Sequence, residues 1–326
     1  MFKNKINNSR LLKITYVTLV CVLFVQFFIP SIVNHSYTSA RTLYNGSNGF
    51  VSPAVGPNHF ELNYFNEFSV FVPTSFALFK TFDKVNYELN KILDGQINVP
   101  RIYVSKLPKD LDKVSSLKKR KELFIKIILP LILQANERIE SDRNLIFSIY
   151  NKKLNKEKIS PSEWSWINEK FLLYDIDVLN FKELLMRHDI VPPSLALAQS
   201  IIESGWGTSR FAKNGNAIFG QWTYKKGSGL VPLMRSPGKS HEIKSFEKLE
   251  ESVNQYIFNL NYHFAYNNFR DLRGKMRKTN NIDSFLLAGA LNKYSQKREA
   301  YVKLLRSIMD SNNLYGYDIA KLKDYF

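Results

Sequence analysis

The sequence predicts an α+β protein in which helix predominates. Apolar side chains recur at three-and-four spacing over 111–140, 246–260 and 301–308, the period of helices with one buried face. Two helix-start signatures, Ser160–Pro161–Ser162–Glu163 and Asn180–Phe181–Lys182–Glu183, stand between the first and second of these stretches. Strand-like alternation with dense turn signals is concentrated in 216–244. At 326 residues, with 44% hydrophobic and 14% aromatic side chains, the chain has enough apolar material for one large domain or two ordinary ones, which excludes a disordered protein.

Met1 to Lys13 carries Lys3, Lys5, Arg10 and Lys13 and no acid, and no further charge follows until Arg41. Within that gap Ile14 to Ile29 is almost continuously apolar, so residues 1–40 read as a secretory signal. Two fates are open. Thr38–Ser39–Ala40 resembles a small-residue cleavage site, and the apolar stretch 14–33 is also long enough to serve as an uncleaved inner-membrane anchor. The basic flank would keep the N-terminus cytoplasmic and put the remainder on the periplasmic or extracytoplasmic side. Cys21, the only cysteine, lies inside this segment and follows Val20 rather than a small residue, so it reads as a buried thiol. The exported part then has no disulfide and depends on its core.

Residues 41–57 are rich in Gly, Ser, Asn and Pro and read as linker, and Phe60 to Lys91 is crowded with aromatics without a clear period. Residues 41–115 therefore receive no structural assignment. Leu111 to Glu140 reads as a helix with Leu123, Phe124, Ile127, Ile128, Leu131 and Ile132 on its apolar stripe, Pro130 kinking it or starting a new turn, and Lys118 to Lys121 on its solvated face. The helix opened by Ser160 carries Trp164, Trp166, Ile167 and Phe171, which fit core packing better than a sugar platform. His188 reads as a last-turn residue, and the histidines show no ligand spacing, so neither a metal nor a cofactor is expected. Residues 116–192 form a helical part packed on a core spanning 193–326.

Pro192–Pro193 discourages helix, Ser194 is a natural N-cap, and Leu195 to Ile202 is a short buried helix ending at Gly205 and Gly207. Glu203 is its single charge. In the last turn, unpaired carbonyls and the neighbours Ile201 and Ile202 should raise its pKa, the condition of a general acid. Taken alone it would read as a solvated helix-end glutamate rather than a catalytic one. The glycines and Trp206 that follow it, then Asn216–Ala217–Ile218–Phe219–Gly220–Gln221–Trp222, supply close backbone approach and flat rings for sugar faces. Turn signals at 226–229 and 236–238, with alternation from Ser240 to Phe246, define a small β-lobe.

The string from Arg187 to Trp222 resembles the Bax-type bacterial proteins, whose glucosaminidase domain is of the mannosyl-glycoprotein endo-β-N-acetylglucosaminidase kind grouped in glycoside hydrolase family 73. Val99 to Val104, Lys118 to Phe124, Leu129 to Leu133, Ser240 to Ile243 and Tyr294–Ser295 extend the likeness in the expected order. The resemblance implies a lysozyme-like glucosaminidase domain with a small β-hairpin lobe, Glu203 as the acid, Tyr294 in the cleft, and Trp206, Gly207, Asn216, Phe219, Gly220 and Trp222 lining or supporting it. A second group must stabilise positive charge or position water. Glu242 is the candidate, because a strand of the lobe can turn its carboxylate toward the cleft. It reads equally as an exposed strand residue paired with a lysine. The implied reaction is cleavage of peptidoglycan at the β-1,4 bond after N-acetylglucosamine. A lytic transglycosylase and a non-catalytic wall-binding protein are the alternatives. The net charge of +17 suits a polyanionic envelope surface, and without a nucleic-acid motif no nucleic acid is expected.

Overall fold

The computed structural model describes residues 69–233, 235 and 240–324. The signal or anchor expected at 14–33 and the linker expected at 41–57 lie outside the described residues. Among the described residues no helix is long and apolar enough to cross a membrane. A two-residue parallel pair, β1 (Ser69–Val70) with β2 (Tyr103–Val104), flanks the helices α1 (Ser75–Lys84) and α2 (Leu89–Leu93). Sequence reading had no signal for these, because strands of two residues are too short to show a period.

The central element is α3 (Leu117–Leu154), 38 residues long. Ser116 caps it, its side chain accepting from the Lys119 N–H. The helix starts six residues later than the spacing suggests, Leu111–Lys113 forming a separate 3-10 turn, and it continues well past Glu140. It also continues through Pro130, so no new helix starts there. Every residue from Leu123 to Asn136 is buried, so neighbours on all sides hold the turn that proline leaves without its hydrogen bond. Lys126, buried here, is neutralised by Glu122 at 2.6 Å, one turn away. Of the basic run expected on the solvated face, Lys118 and Lys119 face solvent, whereas Arg120 and Lys121 are half-buried, Lys121 donating to Asn312 Oδ1 at 3.0 Å.

Helix α4 (Pro161–Leu173) opens with the complete capping box of Ser160 and Glu163, and α5 (Phe181–Arg187) is capped by Asn180. Ile167, Phe171, Phe181 and Leu184 join Ile146 and Ile149 of α3 in one cluster, with Trp164 and Trp166 packed against it. These tryptophans are core, as expected. His188 terminates α5, buried, between the Tyr174 hydroxyl at 2.8 Å and Asp142 at 3.0 Å.

Helix α6 (Pro193–Ser204) is buried along nearly its whole length and packs on α3, on α10 (Ser284–Gly289), on α11 (Glu299–Ser311) and on the 3-10 turn Leu314–Ile319. Its start departs from expectation. Pro192 is the capping residue and Pro193 the first helical one, so Ser194 lies inside the first turn. The cap comes from far along the chain: Asp318 accepts the Ser194 N–H and hydroxyl, both at 2.8 Å. A carboxylate at the positive end of the helix takes the role foreseen for serine.

After α7 (Arg210–Gly215) come β3 (Trp222–Thr223), β4 (Gly229–Leu230) and β5 (Glu242–Lys244), an antiparallel sheet in the order β3-β5-β4. Helices α8 (Leu249–Tyr262) and α9 (Asn267–Arg277) follow. The ladder is a three-stranded lobe, one strand more than the hairpin expected. The architecture is α+β and predominantly helical. Asp189, buried just before α6, ties the helices together: its carboxylate takes Arg277 and lies within 3.6 Å of Arg143 and Arg273. Burial alone would raise that carboxyl, and the arginines, Arg273 foremost, hold it below its ordinary value.

Candidate active site

The C-terminal end of α6 is built to stop sharply. Gly205 adopts the left-handed conformation at φ 58° and returns its N–H to the Ile201 carbonyl. Trp206 follows at φ 60°, a strained value for a residue with a Cβ, and Gly207 at φ 75°. The buried Ser204 hydroxyl locks this bend by donating to Ser200 O at 2.6 Å and accepting from Gly207 N at 2.9 Å. Glu203 thus sits on the last turn of a rigid, buried helix, its side chain half-buried.

What surrounds Glu203 is a group of tyrosines. The Tyr301 hydroxyl, from α11, donates to Glu203 Oε1 at 3.3 Å. The Tyr294 ring stacks on Tyr301 with centroids 5.5 Å apart, and Tyr266 lies 6.0 Å from Tyr294. On the other side Gly220, at φ 60°, passes so close that a Cβ there would meet Glu203 Oε2 at 3.4 Å. No cation pairs with Glu203 among the described residues. Burial pushes its carboxyl up to about 8, and the hydrogen bond from Tyr301 opposes the rise only in part. The direction agrees with the sequence reading, and the cause is burial, the part of that reading that turned on exclusion of water. A carboxyl of this kind keeps its proton at neutral pH and can give it to an oxygen brought within reach.

The other candidate residues divide into two groups. Tyr294, Phe219 and Gly220 gather with Glu203: the Tyr294 hydroxyl donates to the Phe219 carbonyl at 3.4 Å, and the buried Phe219 ring stacks on Tyr256 with centroids 3.8 Å apart. Trp206, Gly207 and Asn216 act on the frame. The Trp206 ring meets Phe124 edge-on at 5.9 Å and carries the Lys121 ammonium 4.7 Å above its face. A Cβ on Gly207 would collide with Leu107, Leu111 and Phe124 at 2.9–3.0 Å, so this glycine serves close packing on α3. Asn216, left-handed at φ 50° and buried, donates to the carbonyls of Phe246 and Glu247 and closes α7 against the lobe.

Within the lobe, Trp222 is half-buried and stacks on His241 with centroids 4.4 Å apart. Glu242 is buried rather than exposed, and among the described residues no lysine pairs with it. Its carboxylate accepts from Gly227 N at 3.0 and 3.1 Å and from Gly229 N at 2.9 Å. Both oxygens are thereby engaged by the turn between β3 and β4. A Cβ at Gly229 would overlap the Ile243 carbonyl at 2.2 Å, which is why glycine stands there.

Tyr301, Gln199 and Tyr256 escaped the sequence reading as site residues. Gln199 was visible as the one amide in an apolar run, four residues before Glu203 and hence on its face of the helix. Tyr301 was read only as part of an apolar stripe, although a buried tyrosine hydroxyl needs a partner.

The sequence model of a family described as "Glucosaminidase: Mannosyl-glycoprotein endo-beta-N-acetylglucosaminidase" matches residues 179–314, which include α6, the lobe and the tyrosines. The chain is also 32% identical over 215 residues to "Protein bax" of Escherichia coli (strain K12), covering 64% of this chain and 75% of that one. No solved structure gives a significant match.

Proposed function

The chain belongs to the Bax-type glucosaminidase-domain family, and on that premise we propose that it is a peptidoglycan hydrolase, an endo-β-N-acetylglucosaminidase in which Glu203 is the general acid. One observation carries the proposal: a glutamate beside a group of tyrosines, without a cationic partner among the described residues, whose carboxyl burial pushes up to about 8. The protonated Glu203 gives its proton to the glycosidic oxygen as the bond to the anomeric carbon breaks, and the leaving sugar departs as an alcohol. Tyr294 and Gly220 border the acid and form the near wall of the sugar site; Trp222 offers an apolar ring from the lobe. The second role falls to Glu242 only if the Gly227–Gly229 turn releases its carboxylate on substrate binding. Otherwise the substrate's own acetamido oxygen is available to stabilise the positive charge at the anomeric carbon.

Engagement of Glu242 favours one rival specifically. With a single free carboxyl, Glu203 can act first as acid and then as base, drawing the proton from the 6-hydroxyl of the muramic sugar as that oxygen attacks the anomeric carbon. That is the lytic transglycosylase reaction, and it needs no second carboxylate. Delivery to the envelope rests on the basic and apolar N-terminal sequence, and separation of membrane and soluble fractions checks whether residues 14–33 remain as an anchor.

The test is mass spectrometry of soluble products after incubating purified peptidoglycan with the wild type and with Glu203→Gln. Fragments ending in reducing N-acetylglucosamine, absent with the variant, are the expected result. Anhydromuramic ends would replace hydrolysis by the transglycosylase reaction, and glycan binding without products would replace both by the non-catalytic reading. Turnover should hold at neutral pH and fall as pH rises through about 8, where Glu203 loses its proton.

A further inference from the structure

Gln199 is fully buried on α6, one turn before Glu203. Its amide oxygen accepts the Tyr256 hydroxyl at 2.7 Å, and its amide nitrogen donates to the Tyr301 oxygen at 3.0 Å. Tyr301 in turn donates to Glu203 Oε1 at 3.3 Å. Resting on the assignment of Glu203 as the acid, we propose that Gln199 is a positioning residue whose amide sets the direction of the chain Tyr256–Gln199–Tyr301–Glu203, leaving the transferable proton on the Glu203 oxygen that faces Gly220.

The argument is one of polarity. A tyrosine hydroxyl has one hydrogen, and a primary amide has an end that only donates and an end that only accepts. Tyr256 gives its hydrogen to the amide oxygen, so the amide nitrogen faces Tyr301. The Tyr301 oxygen then accepts, and its own hydrogen is directed to Glu203 Oε1. An oxygen that receives a hydrogen bond there is the carbonyl oxygen of the acid, and the proton resides on Oε2. Oε2 lies against Gly220, where the missing side chain leaves the approach open. With the amide reversed, Tyr301 would donate to Gln199, and Glu203 would donate inward to Tyr301 from Oε1. The proton would then sit on the oxygen turned away from Gly220. Tyr256 is held for its task by the Phe219 ring stacked on it in near-parallel fashion at 5°.

The chain also bears on the acid's strength. A hydrogen bond donated to Glu203 favours its ionised form, so loss of that donor raises the carboxyl further, whereas reversal lets the neutral acid donate and raises it too. The experiment is carbon-13 NMR titration of the glutamate carboxyls in the full-length chain, the Glu203 resonance being identified by its disappearance in Glu203→Gln. Tyr301→Phe should move the midpoint upward by about one unit. Gln199→Met and Tyr256→Phe should each move it upward by a smaller amount, and the upper limb of the pH profile on peptidoglycan should move with it. Tyr256→Phe keeps the stacked ring, and the hydroxyl it removes bonds Gln199 rather than Glu203, so it reports even if Gln199→Met does not fold. A midpoint unchanged in Tyr256→Phe while Tyr301→Phe shifts it would overturn the proposal. The titration needs no turnover, so failure of the glycosidase reading appears separately, as absence of products from the wild type.

Discussion

At the scale of single residues, Glu203 shows how the requirement of the proposed general acid opposes stability. Its carboxyl ordinarily titrates near 4.5 and in the fold at about 8. Between those values the folded chain holds a proton that the unfolded chain has released, so this residue's contribution to stability is intact below 4.5 and declines as pH rises toward 8. The linkage amounts to about 3 kcal/mol at neutral pH. Glu203→Gln should therefore lose turnover and gain thermal stability, with a melting-temperature difference from the wild type that is small near pH 5 and grows to several degrees near pH 8. Calorimetry of both proteins across that range checks the trend. Glu203 itself was legible, because a lone charge ending an apolar run before two glycines is a local pattern. Tyr294 was named only through the resemblance, and Tyr256 and Tyr301 were not named as site residues, because they meet Glu203 only in the folded chain.

At the scale of elements, the lobe is held by a charge placed inside it. Glu242 takes three N–H contacts from Gly227 and Gly229 and so defines the turn that joins β3 to β4. Glu242→Gln puts an amide nitrogen against donors and should destabilise the lobe by about 1–3 kcal/mol. Amide exchange should quicken at Gly227 and Gly229 with the helices unaffected. Loss of activity with no change in exchange would instead give Glu242 a part in the chemistry. The periodicity of α8 and α11 was read from sequence to within a few residues, since each buries one face. Helix α3 was misjudged for the opposite reason. Buried on all sides around Pro130, it shows a run rather than a stripe, and nothing local says that neighbours will hold the turn at the proline.

At the scale of the whole molecule, the helix that bears Glu203 is assembled from both directions of the chain. Asp189 with its arginines fixes the approach to α6, and Asp318 closes its first turn while also accepting the Ser284 hydroxyl at 2.6 Å. Asp318→Ala leaves the Ser194 N–H without its acceptor in a buried setting and should cost about 2–4 kcal/mol in denaturant unfolding, against near neutrality for the exposed Asp83→Ala. The sequence could not announce this bond, whose partners stand 124 residues apart. That separation sets an order on synthesis: the first turn of the helix that bears Glu203 stays unsealed until residue 318 has been translated and brought to it. The helix that carries Glu203 is thus completed only when the 3-10 turn Leu314–Ile319 arrives with Asp318.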